Sequence, residues 1–463
     1  MALLKLVDGQ KPREIAARVL HQRCAGGEFI EDLFKKTLSG AQLSPADRAL
    51  CQEIVYGVVR WQAALDWLIA PKTNGRKQKP ALQNLLRLGL YQIFWLDRIP
   101  AHAAVNETVE LAKRNGFGAQ AGFVNAILRG YLREAAATRQ SLGELKTSQP
   151  ALGWSHPQWL VNRWQKRWGA ERTAQLLEWN NTPPKTFARV NPLKFRRGEL
   201  YKPQSSGIKS GARITRPSEF KDAGDLLTRW RDEGVDYDFV RRDWLEENLV
   251  FELKSHPPLS ALGSFRDGWF YVQDPGTLLA VCQLGPRPGE AILDFCAAPG
   301  GKTTFVAQLM NNRGRILAQD VSDTRLKLIR ENCARLGVTC VETVLPSTLD
   351  VQPSTAFDRV LVDAPCSNTG VMRRRVDLRW RIQAKEIGRL CAGQLDLLRQ
   401  AAVRVKPEGV LVYSTCSLEP EENQEVVKQF LRGHADFKLE SERELLPFGD
   451  NVDGAYVARL KLL

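Results

Sequence analysis

Two cysteines follow apolar runs of strand length, in turns where a side chain can do chemistry. Cys366 comes after the run 357–362 and the tripeptide that begins at Asp363, and Cys416 comes soon after the run 409–413. A free cysteine is most often buried as a small apolar residue, so either thiol alone carries little information. Their shared position makes them candidates for covalent catalysis, because a thiolate is a strong nucleophile.

A pair of thiols beside a carboxyl group suits methylation of cytosine at carbon 5. That carbon is too weak a nucleophile to attack a methyl sulfonium, but a thiolate added to carbon 6 turns it into an enamine carbon that can. Asp363 can supply or hold the proton that N3 takes up during the addition. After methyl transfer a base must remove the hydrogen on carbon 5, and a second thiolate can help. Methylation of an exocyclic amine would need no thiol.

A glycine-rich turn follows another apolar run, within residues 294–303. Gly300 and Gly301 let the backbone approach a ligand closely, and the helix that comes next offers free amides at its N-terminus. Asp320 ends the following apolar run, where a carboxylate can accept hydrogen bonds from both ribose hydroxyls of a nucleoside. The turn and the acid together predict a cofactor that contains a nucleoside.

Two other interpretations of this turn stay open. Residues 299–303 are similar to half of a phosphate-binding loop, and 360–363 could be the acidic strand of an NTPase. The phosphate-binding pattern needs glycine where this chain has Cys296, and without that glycine the loop cannot curl around a phosphate in the usual way. The glycines could also serve a purely structural turn.

Strand and helix signals alternate from residue 290 onward. Such alternation is typical of an α/β fold with a parallel sheet covered by helices on both faces, in which ligands lie at the carboxyl ends of the strands. The two cysteines and the glycine turn should therefore share one edge of the sheet. The predicted strands cover 291–295, 315–319, 357–362 and 409–413, and the predicted helices cover 303–311, 323–336, 385–404 and 420–431.

Residues 1–140 predict an all-helical bundle, because apolar residues recur at helical spacing between short loops. Ser44 and Pro45 form an N-cap and first-turn pair, and the pattern that they start continues through Leu65 and Leu68. Further helices are predicted over 81–95, after Pro100 and around 123–128.

The chain between these two regions is more irregular. A polar stretch at 140–155 predicts a linker. A tryptophan-rich helix is predicted over 155–180, with its stripe of indoles in the core rather than on an RNA-stacking surface. Residues 196–225 are rich in Gly, Ser, Lys and Arg, which predicts a long loop or insertion.

The charge of the chain indicates a polyanionic partner. Its 463 residues include 66 Lys and Arg against 52 Asp and Glu, a formal net charge of +14. Basic residues outnumber acidic ones clearly in 1–140, whereas the two kinds nearly balance over 291–463. A basic excess confined to one region fits nucleic-acid docking better than general solubility, which stays the alternative.

The nine cysteines form no C-x-x-C pair, so neither a disulfide framework nor a metal site is predicted. Early charged residues argue against a signal peptide, and no apolar run reaches the roughly 18 residues that a membrane span needs. A cytoplasmic protein without membrane contact is therefore expected.

The motifs together resemble the RNA (cytosine-5) methyltransferases with two active-site cysteines, in particular the bacterial 16S rRNA enzymes that carry an N-terminal NusB-like domain. The resemblance covers nearly the whole chain except about 196–250. The motifs that carry it are 293–303, 363–367 with 369–371, 413–417 and 421–423, and in the first half 98–102 with 105–108, 123–129, 155–160 and 189–192.

This resemblance implies a Rossmann-like S-adenosylmethionine methyltransferase sheet over 266–463, preceded by a NusB-like RNA-binding bundle over 1–140 and a connecting subdomain over 155–265. It implies a monomer that acts on 16S rRNA, free or in a partly assembled small subunit, and needs no metal. By the same resemblance Cys416 is the nucleophile, Cys366 assists release and Asp363 faces the target base. The residues implied to bind S-adenosylmethionine are Cys296, Ala297, Ala298, Pro299, Gly300, Gly301, Lys302, Asp320 and Asp363.

The chain departs from the family pattern in a few places. Residues 345–348 stand where an acid usually meets the adenine amine, and Glu408 stands where glycine is usual. Val376 replaces a usual proline, and 273–277 differ from the usual motif. A different class of function also stays open, in which an RNA-binding assembly or antitermination factor keeps a vestigial methyltransferase sheet.

Overall fold

The computed structural model describes residues 11–194, 224–346 and 356–463. They form two compact units. The helical unit contains the chain up to Pro183 together with Val371–Ala384, and the sheet unit contains Pro184–Gly370 and Lys385–Leu463. The three domain ranges expected from the sequence stay a prediction.

The helical unit has one continuous hydrophobic core, as the apolar periodicity predicts. Ser44 caps its helix by accepting a hydrogen bond from the amide of Asp47, and Pro45 occupies the first turn. The helices before the sheet unit are Pro12–Ala25, Ile30–Leu38, Pro45–Arg60, Gln62–Lys72, Pro80–Trp95, Ala101–Ala112, Ala121–Arg133, Ala135–Ser148, Pro150–Gly153 and Gln158–Asn181.

Two expectations about this unit are wrong. The helix that starts at Pro45 does not continue through Leu65, because Trp61 leaves the helical conformation and a new helix begins at Gln62. Most of the expected linker at 140–155 is helical: Gln140, Glu144 and Lys146 are good helix formers, and Leu145 is buried against the unit. The tryptophan-rich helix is present, with Trp164 fully buried.

The helical unit also contains an inserted segment, Val371–Ala384, from the second half of the chain. The buried carboxylate of Asp377 lies 2.6 Å from the guanidinium of Arg23 and 2.8 Å from that of Arg381. Arg379 is also buried, and it donates to the side chain of Asn181 and to the carbonyl of Asn180. Burial, followed by the charge of Arg60, lowers the pKa of Arg379. This segment is therefore held by specific polar contacts.

The sheet unit begins with a small antiparallel sheet that the sequence did not predict. Its strand order is β2-β3-β1-β4, and Trp230 is buried between the rings of Phe251 and Phe270 in its core. Most of the loop predicted at 196–225 lies outside the described residues. The strands are β1 (Thr186–Val190), β2 (Asp236–Phe239), β3 (Val250–Ser255) and β4 (Phe270–Val272), and the helices are Gly224–Asp232 and Gly263–Arg266.

A seven-stranded sheet follows, in the order β10-β11-β9-β8-β5-β6-β7. Strands β5 to β9 run parallel to one another, as predicted, and the Rossmann-like α/β class is confirmed. Strands β10 and β11 are antiparallel additions that the sequence did not predict. The strands are β5 (Ala291–Asp294), β6 (Arg315–Gln319), β7 (Val341–Val344), β8 (Phe357–Asp363), β9 (Val405–Thr415), β10 (Phe437–Leu445) and β11 (Ala455–Leu462).

Helices cover both faces of this sheet, because successive strand residues enter two different cores. Ile292 and Leu361 face one core, whereas Leu293 and Val360 face the other. No helix in the described parts of the chain is long and apolar enough to cross a membrane. The helices of this region are Leu279–Leu284, Gly301–Leu309, Asp323–Leu336, Ala384–Ala402, Gln424–Gly433 and Pro447–Asp450.

Candidate active site

The glycine turn links β5 to the helix Gly301–Leu309 at the carboxyl edge of the sheet. Gly300 has a φ of +97°, and a Cβ there would lie 3.3 Å from the backbone of Ile329. A Cβ on Gly301 would meet Tyr271 and Gln273 at 3.2 and 3.3 Å. The turn therefore needs both glycines, and it leaves the first amides of the helix open toward a ligand.

A cavity lies along this turn. Most of the residues expected to hold the cofactor line it, while Gly300 and Asp320 stand beside it. Residues that the sequence did not single out complete the wall. The lining residues are Tyr271, Val272, Gln273, Thr277, Asp294, Cys296, Ala297, Ala298, Pro299, Gly301, Lys302 and Asp363.

Asp294 contributes a buried carboxyl group to this cavity. Its Oδ2 accepts a hydrogen bond of 2.6 Å from the hydroxyl of Thr303. Among the described residues none hydrogen-bonds to its buried Oδ1. Burial raises the pKa of Asp294 to about 7, against the opposing effect of the Thr303 hydrogen bond. A polar group of the ligand can satisfy the open oxygen, so the cavity fits a partly cationic molecule such as S-adenosylmethionine.

Arg189 supports the turn from inside the protein. Its guanidinium donates to the carbonyl of Gly301 at 2.8 Å and to the hydroxyl of Thr304 at 3.0 Å, and it also contacts Gln273. The side chain is fully buried, and burial lowers its pKa to about 9. Arg189 therefore couples the start of the helix to the cavity wall.

Asp320 follows β6 and is almost fully buried. Its Oδ2 accepts the amide of Ala298 at 2.9 Å, and its Oδ1 accepts the amide of Val321 and pairs with Arg325 at 3.0 Å. Each carboxylate oxygen can accept more than one bond. The expected contact with ribose stays a prediction.

Asp363 ends β8 and has a partner on each oxygen. Lys302 Nζ lies 2.6 Å from Oδ2, and the hydroxyl of Ser414 donates to Oδ1 at 2.8 Å. Burial alone would lower the pKa of Lys302, but the charge of Asp363 and their hydrogen bond outweigh burial and raise it. Lys302 therefore stays a cation, and it connects the glycine turn to the end of β8.

The structure brings the two predicted cysteines into contact. The Sγ atoms of Cys366 and Cys416 lie 3.3 Å apart, and the Cys416 thiol donates to Oδ1 of Asn368 at 3.1 Å. Cys366 is buried, whereas Cys416 is partly exposed. Burial also raises the pKa of the Cys296 thiol in the nearby turn. The two sulfurs thus lie within reach of one bound base.

Glu422 forms hydrogen bonds with both cysteine loops, which are residues 364–370 and 416–419. Its buried carboxylate accepts the amide of Ser367 at 2.8 Å, the hydroxyl of Ser417 at 2.5 Å and the side-chain amide of Gln394 at 3.0 Å. Ser367 and Ser417 each follow one of the cysteines. Because a buried acceptor must keep its donors, Glu422 fixes the spacing of the two loops.

Comparison with known proteins assigns the family. Residues 281–461 match the model of the 16S rRNA methyltransferase RsmB/F family, 10–133 match the NusB family, and 156–207 match the RsmF/B-like ferredoxin-like domain. The probable ribosomal RNA small subunit methyltransferase B of Bacillus subtilis (strain 168) is 35% identical over 433 residues, which cover 92% of this chain and 89% of that protein. The ribosomal RNA small subunit methyltransferase B of Vibrio cholerae is also 35% identical, over 97% of this chain and 96% of its own length.

The chain belongs to the 16S rRNA methyltransferase RsmB/F family.

Solved structures agree with this assignment. A methyltransferase homologue from Pyrococcus horikoshii is 29% identical, with a TM-score of 0.55, and covers 68% of this chain and 97% of its own. The protein PH0851 covers 98% of this chain and 99% of its own with a TM-score of 0.72, and at 23% identity it shows the fold alone. The recognition made from the motifs is confirmed.

Sequence reasoning found some residues of this RsmB/F site and missed others. The thiols, Asp363, Lys302 and the glycine turn lie along one edge of the sheet. Arg189 and Glu422 lie in motifs that were noticed but given no role. Asn368 was missed, although its place beside Cys366 and its tolerance of positive φ were signals. Half of the segment 345–348, where the resemblance implied a missing acid, lies outside the described residues.

Proposed function

We propose that the chain transfers a methyl group from S-adenosylmethionine to carbon 5 of a cytosine in 16S rRNA, through a covalent bond between Cys416 and carbon 6. The observation that carries the proposal is the 3.3 Å contact between the Sγ atoms of Cys366 and Cys416. Two touching thiols suit a reaction in which one adds to the base and the other helps it leave. The choice of rRNA rests on the family and on the names of the relatives.

The surroundings of the two thiols support Cys416 as the nucleophile. Cys416 is partly exposed, whereas Cys366 is buried. The hydrogen bond with Cys416 and burial raise the pKa of Cys366 well above its ordinary value. Cys366 is therefore a thiol at neutral pH, and its S–H can point toward the sulfur that attacks.

The same contact explains how Cys366 can act later. Once Cys416 is bonded to carbon 6, its sulfur is a thioether that carries neither charge nor S–H. The contributions that Cys416 makes to the raised pKa of Cys366 then disappear, and burial is the main one left. Cys366 can then release its own proton to solvent more easily, and the thiolate that results can take the proton from carbon 5. Loss of that proton restores the ring double bond as the bond between Cys416 and carbon 6 breaks.

Asp363 and Lys302 support the addition step. The addition balances when the proton that leaves the Cys416 thiol is matched by one taken up at N3, and the carboxylate of Asp363, held by Lys302 and Ser414, has remaining lone pairs with a fixed direction for that N3–H. Lys302 keeps a positive charge beside the site where the ring gains electrons, which lowers the barrier electrostatically.

S-adenosylmethionine supplies the electrophilic methyl group. The residues proposed to hold it are the turn Cys296–Lys302, Asp320 and Asp363, as the motifs predict, and the structure adds Asp294. The open Oδ1 of Asp294 and the free amides of the helix Gly301–Leu309 suit a ligand that has both a cationic and an anionic group.

The test separates the two thiols. Purified variants are incubated with unmodified 16S rRNA and labelled S-adenosylmethionine, run on a denaturing gel and analysed for 5-methylcytosine. Cys416→Ala should give neither product nor crosslink. Cys366→Ala should accumulate a crosslink to RNA, because the adduct forms but breaks down slowly. Cys391→Ala, on the helix Ala384–Ala402, is the matched control and should behave like the natural protein.

Three results would contradict the proposal. A crosslink with Cys416→Ala but not with Cys366→Ala would reverse the roles of the thiols. Full activity in both variants would exclude the covalent mechanism. RNA binding without any methylation by the natural protein would favour the assembly-factor alternative.

We also propose that the helical unit docks the RNA. Arg76, Lys77 and Lys79 lie exposed in the loop after the helix Gln62–Lys72. Replacing these three residues by glutamate should weaken RNA binding and flatten its salt dependence, because fewer counterions are released. An unchanged salt slope would exclude this loop as a docking site. Naked rRNA and partly assembled subunits should be compared as substrates, while the monomeric state and the cytoplasmic location stay predictions.

A further inference from the structure

Asn368 contacts the proposed nucleophile directly. Its side chain bridges the two cysteine loops: Oδ1 accepts the Cys416 thiol at 3.1 Å, and Nδ2 donates to the backbone carbonyl of Cys366 at 2.6 Å. The residue lies two positions after Cys366, and its backbone has a φ of +58°. Few residues other than glycine and asparagine accept that conformation at low cost.

The two bonds fix the direction of the amide. A side-chain amide can be turned by 180° in many settings, but here the short bond from Nδ2 needs the carbonyl of Cys366 as its acceptor. Oδ1 must then face the sulfur of Cys416. The Cys416 thiol therefore donates its S–H to Asn368. A lone pair of the same sulfur points toward Cys366, whose Sγ lies 3.3 Å away.

We propose that Asn368 is a positioning residue that holds the thiol of Cys416, before its proton leaves, at a fixed place and direction beside Cys366. Its role in catalysis rests on the proposed function, whereas its hold on the thiol does not. A freely rotating side chain would point the sulfur at carbon 6 only part of the time. An attacking atom displaced by about 1 Å can lower a rate by about 100-fold.

Because the backbone of Asn368 is left-handed, a substitution by glycine can remove the side-chain amide without straining the loop. Asn368→Gly removes the amide but accepts the positive φ, so the loop keeps its conformation. Asn248 also has a positive φ, of +62°, in an exposed loop of the small sheet. Asn248→Gly is therefore a matched control for the change of residue type. Asn368→Asp keeps the shape of the side chain but adds a negative charge beside the thiol.

The first experiment needs neither RNA nor S-adenosylmethionine. Alkylation of Cys416 by iodoacetamide is followed across pH by mass spectrometry of the peptide that contains it. A carboxylate 3 Å from the sulfur disfavours the thiolate, so Asn368→Asp should move the midpoint of alkylation upward by at least one pH unit. A structural effect on the loop alone would not give this shift. Identical profiles for the natural protein and Asn368→Asp would overturn the proposal.

The second experiment measures the adduct. In the Cys366→Ala background, Asn368→Gly should slow the appearance of the RNA crosslink about tenfold, with unchanged affinity for S-adenosylmethionine. Asn248→Gly in the same background should leave the rate unchanged. A rate within twofold of the parent in Asn368→Gly would contradict the proposal. If the parent forms no crosslink, the proposed function fails, while the alkylation profiles still decide whether Asn368 holds the thiol.

Discussion

The glycine turn and the cysteine loops lie at the same edge of the sheet, but they are held there in different ways. The turn has internal bonds, since the amide of Gly300 donates to the carbonyl of Ala297 and Thr303 donates to Asp294 nine residues earlier, and Arg189 and Asp320 support its backbone from outside. The cysteine loops depend on distant partners, since Glu422 accepts the amide of Ser367, which lies 55 positions before it.

This difference determines what a substitution should do. The turn lines the cofactor cavity and keeps some bonds of its own, so changes around it should mostly alter cofactor affinity. The loops that place two sulfurs in contact depend on a shared buried network, so a change in that network should act on the reaction itself.

The largest effect is expected at Glu422. Glu422→Ala leaves several buried donors without an acceptor, so the loops should separate and the rate of adduct formation should fall at least about 100-fold. Glu422→Gln keeps one acceptor oxygen and should be milder. Single-turnover crosslinking measures the rate, with Glu421→Gln as the control on the neighbouring residue. A normal rate in Glu422→Ala would show that the loops hold themselves, as the turn does.

A smaller effect is expected at Lys302, which belongs to the turn but contacts Asp363. Lys302→Met should lower kcat about 10- to 100-fold, because Asp363 loses its buried cation and the base loses a nearby positive charge. Lys327→Met, on an exposed helix face, is the control. A change confined to the KM for S-adenosylmethionine would show that Lys302 contributes to cofactor binding and not to the reaction step.

At Asp294 the expected effect is on stability and depends on pH. The pKa of this group is raised to about 7 in the folded protein, against about 3.9 in an unfolded chain. At pH values between these two pKa values, the folded state binds more protons than the unfolded state. The free energy of unfolding therefore falls as the pH rises toward 7. Asparagine does not titrate, so Asp294→Asn does not lose stability in this way. Its stability relative to the natural protein should rise by about 2 kcal/mol between pH 5.5 and 8.5 in urea denaturation. An equal difference at both pH values would contradict the raised pKa.

The smallest effect is expected at Glu408, within β9. Its φ is +63°, which strains a residue with a side chain, whereas glycine adopts this conformation without a steric penalty. Glu408→Gly should raise the free energy of unfolding by about 1 kcal/mol or less, since glycine also makes the unfolded chain more flexible. The crosslinking rate should not change. A slower crosslink would mean that the strain in β9 helps to place Cys416.

The sequence predicted most of what depends on neighbouring residues. Strand β6 has the predicted limits because its apolar run is uninterrupted, and the glycine turn is recognisable from its own residues. Strand β9 is longer than predicted, since Lys406, Pro407 and Glu408 resemble a turn. Strand β10 was missed because most of its side chains are polar and only its first and last residues are buried. These errors arise where tertiary pairing, not local pattern, decides the structure.

The residues of the candidate site likewise include some that could be predicted from the sequence and some that could not. Both cysteines and Asp363 could be found because each stands directly after an apolar strand. The roles of Asn368 and Glu422 could not be predicted, because they depend on which loops meet after folding. The same holds for Arg189, whose partners lie more than 80 positions further along the chain.

The inserted segment Val371–Ala384 has a consequence for the order in which the nascent chain folds. The helical unit comes first on the ribosome, yet Asp377 and Arg379 complete its polar contacts only after nearly 200 further residues have been translated. Arg23 and Asn181 therefore lack these partners while the glycine turn and Cys366 are being translated. The nascent helical unit can therefore not reach its final state before the first cysteine loop has been synthesised, and the sheet unit still lacks β9, β10 and β11 at that point.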